Sequence, residues 1–216
     1  MVTMDNTSTE SSPVITWLLG PGVRVLVFIL LSLPFLNLLW GVVSGALGPD
    51  PAERLMHVTG EWAMRVLVLV LLGRPLAQHG WPRLFRYRRM LGLFVFFYGT
   101  VHLLVFAQVY IGWRWELLLE ELAERPYVFV GAAAWLGLLP LAVTSTDQWR
   151  RRLRQNWRRL HQLVYPVTIL ACCHIWWLAR SDVGDALVYA SLTVLLLGWR
   201  LQRFMTKVLR SRKPSC

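Results

Sequence analysis

The chain has 216 residues, of which 56% are apolar and only 16% charged, and its mean hydropathy is +0.46. A soluble domain carries about a quarter charged residues, so this composition excludes an ordinary water-soluble fold and requires a surface that faces lipid. The formal charge of +11 would suit a nucleic-acid binder, but the cations cluster between apolar runs, as in loops held against anionic headgroups, and no nucleic-acid partner is expected.

Residues 1–22 read as a polar N-terminal tail, with Asp5 and Glu10 and no basic n-region, so a cleaved signal peptide is not expected and the first apolar run stays in the membrane. Six runs approach the roughly 20 residues that cross about 30 Å of hydrocarbon as a helix, namely 23–43, 62–77, 90–111, 127–143, 160–179 and 186–199. The second is the weakest, because Glu61 and Arg65 crowd its start and Arg74 and Pro75 its end. The expected fold is therefore all-α, a polytopic bundle of about six transmembrane helices over 23–203, followed by a basic tail at 204–216 with no soluble nucleotide-binding domain.

Arginines are retained on the cytoplasmic side, and they collect in alternate connections. Arg74, Arg83, Arg86, Arg88 and Arg89 lie between runs two and three, Arg150, Arg151, Arg152, Arg154, Arg158 and Arg159 between four and five, and Arg203, Lys207, Arg210, Arg212 and Lys213 after six. The other connections hold few cations and most of the carboxylates, among them Asp50, Glu53, Glu116, Glu120, Glu124, Asp182 and Asp185. Both termini are thus expected in the cytoplasm. Residues 113–125 read as a short amphipathic helix on the outer surface, anchored by Trp113 and Trp115. Cys172, Cys173 and Cys216 build neither a disulfide framework nor a zinc site, and no C-x-x-C-H motif for covalent haem attachment is present.

Ionisable groups at membrane depth mark functional sites, and His102, His161 and His174 fall inside predicted spans. At about 1.5 Å per residue, His102 lies roughly 21 Å along its helix from Arg88, and His174 roughly 20 Å beyond His161, so His102 and His174 share an outer level. Two neutral imidazoles facing each other can fill both axial positions of a haem iron. The alternative is that each histidine only hydrogen-bonds a backbone carbonyl or a threonine such as Thr100 or Thr168. His161 raises a second, inner haem, but thirteen residues at about 100° leave it roughly 140° out of phase with His174 unless Pro166 introduces a kink or π-bulge. His57 is expected at the outer interface just before the second helix, and His79 in a cytoplasmic loop. Arg65 is expected a turn inside the second helix, where it would pair with a haem propionate or snorkel to the headgroups.

The segments HVTGEWAMR, RRMLGLFVFFYGTVH, TSTDQWRR and NWRRLHQLVYPVTILACCH resemble the ferric reductase-like transmembrane superfamily, and most closely the MsrQ/YedZ family, from Gly45 to about Arg203. The resemblance implies a bacterial inner-membrane electron-transfer subunit with haem b and FMN. Its implied donor is a cytoplasmic flavin reductase or quinol, and its implied acceptor a periplasmic molybdenum-cofactor methionine sulfoxide reductase. By position His102 and His174 match the family's outer haem pair and His161 its inner histidine. The inner histidine of two-haem relatives is replaced here by Arg88, which favours one haem, with His161 as an alternative ligand or flavin-side residue. Arg88, Arg89 and the Arg150 to Arg159 cluster are the candidates for the FMN phosphate. The competing expectations are a self-standing two-haem ferric or superoxide-generating reductase and a non-redox transporter or assembly factor.

Overall fold

A computed structural model describes residues 21–79, 81, 86–179 and 183–211. The tail through Gly20, together with Arg83, Arg180, Asp182, Arg212, Lys213 and Cys216, lies outside them. The described residues form an all-α bundle. In chain order the helices are α1 (Pro21–Ser44), α2 (Pro51–Gln78), α3 (Arg88–Phe106), α4 (Trp115–Glu124), α5 (Pro126–Val143), α6 (Asp147–Leu153), α7 (Gln155–Leu160), α8 (Val164–Leu178) and α9 (Gly184–Ser211). A π-helical turn, Ala107–Ile111, extends α3, and a 3-10 turn, His161–Leu163, joins α7 to α8.

Local chemistry sets these ends. Pro51 and Pro126 open α2 and α5, where the missing N–H is harmless. The Asp50 carboxylate caps α2 by accepting from the Glu53 amide at 2.9 Å, and Thr146 caps α6. Gly112, at φ 58°, takes the left-handed conformation that ends the π turn. The Asp50 cap starts α2 eleven residues earlier than the apolar run at 62 suggests. His57, Glu61 and Arg65 are consequently carried within that helix, and Arg65 is four turns in rather than one. Hydropathy missed this stretch because Glu53, Arg54 and Glu61 mask a segment that caps and packs as helix.

Five helices, over 22–44, 51–78, 88–111, 126–143 and 184–206, are long and apolar enough to cross a membrane. The segment expected at 160–179 is present as α8, whose 15 residues rise about 22 Å and are preceded by the 3-10 turn. α9 runs on to Ser211, so Arg203 belongs to the same helix as the span before it. α1 and α9 turn Val25, Phe28, Leu30, Val194 and Leu195 outward, a surface suited to acyl chains. The chain is a multi-pass membrane protein.

α2 packs most extensively on α3, and α5 on α8. The core lies where α2 meets α3, with Met64, Val66 and Leu71 against Val95 and Tyr98 and with Leu31 and Val164 closing it. A proline inside a span opens the backbone, and at Pro75 a side chain of another helix satisfies it. Pro75 frees the carbonyl of Leu71, and the Arg200 guanidinium of α9 donates to that oxygen at 2.6 Å. Three residues before Pro34 of α1, the Leu31 carbonyl accepts the Tyr98 hydroxyl at 2.6 Å, with Tyr98 wholly buried. His79 caps the end of α2 with its Nδ1 2.9 Å from the Pro75 oxygen.

Tyr98→Phe removes one buried hydrogen bond without changing shape. We expect it to lower the unfolding free energy in mixed micelles by about 1 kcal/mol, read from the shift in a denaturant titration followed by circular dichroism.

Candidate functional site

α3 and α8 each deliver one histidine to the same cleft, and each imidazole rests on a different neighbouring helix. The His102 Nδ1 lies 3.1 Å from the carbonyl oxygen of Met56 on α2, and 3.4 Å from the Thr59 hydroxyl, which donates its own proton to Leu55 at 2.7 Å. The His174 Nδ1 lies 2.7 Å from the carbonyl oxygen of Tyr127 on α5. A carbonyl only accepts, so both Nδ1 atoms carry the proton and both Nε2 atoms are left with a free lone pair. The two ring centroids lie 6.2 Å apart, with the planes at 89° in an edge-on arrangement.

They border a cleft of about 2230 Å³, larger than the roughly 300–1,000 Å³ of an ordinary ligand pocket. Its lining is mostly apolar, with Val95, Leu103, Leu138 and Val167 among it, and it includes the charged groups Glu53, Glu61, Arg65 and Asp185. A π-helical turn follows His102 by one turn of helix, and π turns recur beside functional sites. Among the described residues no cluster of three or more His, Cys, Asp or Glu side chains is placed to hold a metal ion. Two opposed imidazoles can instead supply the axial donors of a metal whose remaining positions are filled by a planar macrocycle.

The other candidates fall elsewhere. His161 leads the 3-10 turn, stacks on Trp157 with centroids 3.9 Å apart, places its Nδ1 3.1 Å from the Trp157 carbonyl and does not line the cleft. No kink or π-bulge forms at Pro166, which is the third residue of α8, where a missing N–H is tolerated; the irregular backbone is instead the 3-10 turn at His161–Leu163. Thr100 is engaged by Trp135 at 3.0 Å and Thr168 donates to Val164 at 2.6 Å, so neither is the partner of a histidine.

Arg65 does line the cleft, but its guanidinium pairs with Glu61 at 2.8 Å and lies 5.3 Å from the Trp62 ring. His57 stands at the rim, 3.7 Å from Glu53. Arg88 lies at the opposite end of α3, within electrostatic range of Arg74, Tyr165 and Arg200. Arg89 bridges to Asp147 at 3.1 Å. The residues missed in the sequence are those that act through their backbone or their size: Met56, Tyr127, Gly60 and Gly131. A carbonyl acceptor has no side-chain signature, and the one legible trace is a glycine four residues after each.

Fold and site together define a multi-pass membrane helix bundle with an internal cleft spanned by a pair of histidines. Residues 59–172 match the family described as "Ferric reductase like transmembrane component". Over 180 residues the chain is 47% identical to the "Protein-methionine-sulfoxide reductase heme-binding subunit MsrQ" of Xanthomonas oryzae pv. oryzae strain MAFF 311018, covering 81% of this chain and 83% of the relative. The proteins of the same name from Xanthomonas axonopodis pv. citri strain 306 and Xanthomonas campestris pv. campestris strain B100 are 48% and 49% identical, over 75% and 73% of both chains. The chain belongs to the MsrQ family of ferric reductase-like membrane proteins. No solved structure matches it.

The Glu61 and Arg65 side chains remain 33% and 41% exposed, and ion pairs in such settings contribute under about 1 kcal/mol. Arg65→Gln is therefore expected to unfold within about 1 kcal/mol of the unaltered chain in the same titration. A larger loss would show that the pair holds α2 in place.

Proposed function

We propose that the chain is the membrane electron-transfer subunit of a methionine sulfoxide reductase system, holding one haem b between His102 and His174. The observation that carries this reading is the spacing of the two rings. An imidazole nitrogen ligates a transition metal at about 2 Å and sits about 1.1 Å from its ring centre, so two imidazoles on opposite sides of one iron have centres about 6 Å apart. The observed 6.2 Å agrees with that distance. The names carried by the relatives, which call them heme-binding subunits, support the same cofactor.

The chain's residues hold and tune the group. Met56 and Tyr127 accept the Nδ1 protons, which fixes the tautomer and raises the basicity of each free Nε2. The mostly apolar lining would enclose the macrocycle, and Arg65, which lines the cleft further along α2 than Met56, is the candidate partner for a propionate. Bound haem supplies one-electron chemistry, which needs no proton-transferring side chain at the iron.

In the proposed arrangement reducing equivalents from a cytoplasmic flavin reductase or quinol enter at the arginine-rich end. FMN is held there with Arg88 and Arg89 near its phosphate, roughly 21 Å along α3 from His102. The acceptor, a periplasmic molybdopterin-containing methionine sulfoxide reductase subunit, docks at the opposite, carboxylate-bearing end around Gly45 to Glu61 and α4. The membrane is then the bacterial inner membrane. His161, outside the cleft and stacked on Trp157, is assigned to the flavin side.

Reduced-minus-oxidised spectra of the purified protein, with haem quantified, test the ligand set. One haem per chain is expected, lost in His102→Ala and His174→Ala and kept in His161→Ala. Haem kept in both of the first two variants, or two haems per chain, contradicts it. The FMN placement has its own readout: Arg88→Gln combined with Arg89→Gln should weaken FMN binding about tenfold or more by flavin fluorescence titration, with the haem bands unchanged.

A further inference from the structure

The two histidines are seated in the same way, and the shared feature is a glycine. His102 bonds to the carbonyl of Met56, and four residues on is Gly60; His174 bonds to the carbonyl of Tyr127, and four residues on is Gly131. In an α-helix the residue at i+4 stacks directly above the carbonyl at i, and its Cα–Cβ bond tilts back toward the N-terminus. A side chain there would project over the carbonyl, onto whatever is bonded to it. The distances agree: a Cβ at Gly60 would lie 3.2 Å from both Nδ1 and Cε1 of His102, and a Cβ at Gly131 would lie 2.8 Å from the same two atoms of His174.

We propose that Gly60 and Gly131 are the positioning residues of the histidine pair, each keeping open the space in which an imidazole lies against a helix carbonyl with its Nε2 turned to the iron. The inference deepens the haem reading and rests on it. The two seats are unequal. At Gly131 the hydrogen bond is 2.7 Å and an added methyl falls inside contact distance, whereas at Gly60 the bond is 3.1 Å and the methyl is only tight. His174 is therefore the rigidly held ligand, and its displacement by a single methyl is the larger effect. Main-chain rearrangement is the costlier way to relieve such a clash, because α5 and α8 are packed along their length. The imidazole would move instead, withdrawing its Nε2 as a donor.

The α5 and α8 interface carries its own control. A Cβ at Gly137 would lie 2.5 Å from the Val167 side chain, a contact between the same two helices that touches no histidine. If the glycines matter only for helix packing, Gly137→Ala and Gly131→Ala should behave alike. The test compares Gly131→Ala, Gly60→Ala and Gly137→Ala in the full chain, purified in detergent. The readouts are optical spin state, carbon monoxide binding to the reduced form, and thermal unfolding by circular dichroism.

Gly131→Ala is expected to convert most of the haem from low-spin to high-spin and to bind carbon monoxide where the parent protein does not. Gly60→Ala should shift the midpoint potential while remaining mostly low-spin. Gly137→Ala, whose clash is with the cleft-lining Val167 and not with an imidazole, should lower the unfolding temperature and leave the haem low-spin with no carbon monoxide adduct. A low-spin Gly131→Ala protein with parental potential and no carbon monoxide adduct overturns the proposal, as does a Gly137→Ala protein with the same spectral change. Should Gly131→Ala fail to fold, an unshifted potential in Gly60→Ala overturns it equally. A colourless parent protein would instead remove the haem reading itself, and the seats with it.

Discussion

An imidazole buried among membrane helices must satisfy its N–H, and the choice of acceptor decides what its other nitrogen can do. Here both acceptors are main-chain carbonyls on a neighbouring helix, Met56 on α2 for His102 and Tyr127 on α5 for His174. A carbonyl fixes the tautomer without adding charge, leaves a lone pair on Nε2, and couples the ring to the helix rather than to a flexible side chain. The strong packing of α2 on α3 and of α5 on α8 is the larger expression of the same constraint. Each pair of helices unites one histidine with its acceptor, and the cleft is what remains between the two pairs.

The rest of the bundle manages backbone that the sequence has opened. Pro34 and Pro75 interrupt long spans, and a buried tyrosine and an arginine from other helices supply hydrogen bonds beside the breaks. The Arg200 guanidinium also lies 5.0 Å from the Tyr165 ring, so it ties α9 to both α2 and α8. Toward the opposite end α2 begins at a capped proline, and its first four turns carry Glu53, His57, Glu61 and Arg65 to the edge of the cleft. The molecule is thus polarised along its axis, with arginines gathered at one end and carboxylates near the histidines. The proposed passage of electrons from one surface to the other would run along this axis.

Much of this was legible in the residues. Long apolar runs and alternating arginine clusters gave away the bundle, and helical rise alone put His102 and His174 at one level, where the rings now meet. The start of α2 was misjudged because hydropathy penalises Glu53, Arg54 and Glu61, whereas helix formation there depends on the Asp50 cap, Pro51 and packing. The angular relation of His161 to His174 was undecidable from spacing because it depends on a 3-10 turn that no residue in the segment announces. The histidine seats were beyond the sequence for a different reason. They consist of carbonyl oxygens and of space left by glycines, and glycines in spans more often serve close helix packing, as Gly137 does against Val167.

In the proposed haem site the His102 and His174 rings, whose planes stand at 89° in the structure, would hold one iron from opposite sides. Electron paramagnetic resonance of the oxidised, purified protein reads that arrangement directly, since the angle between axial imidazole planes controls the anisotropy of a low-spin ferric haem. A single, highly anisotropic low-spin signal is the predicted result. A rhombic signal of parallel rings, a high-spin signal of a singly ligated iron, or no haem signal would contradict it.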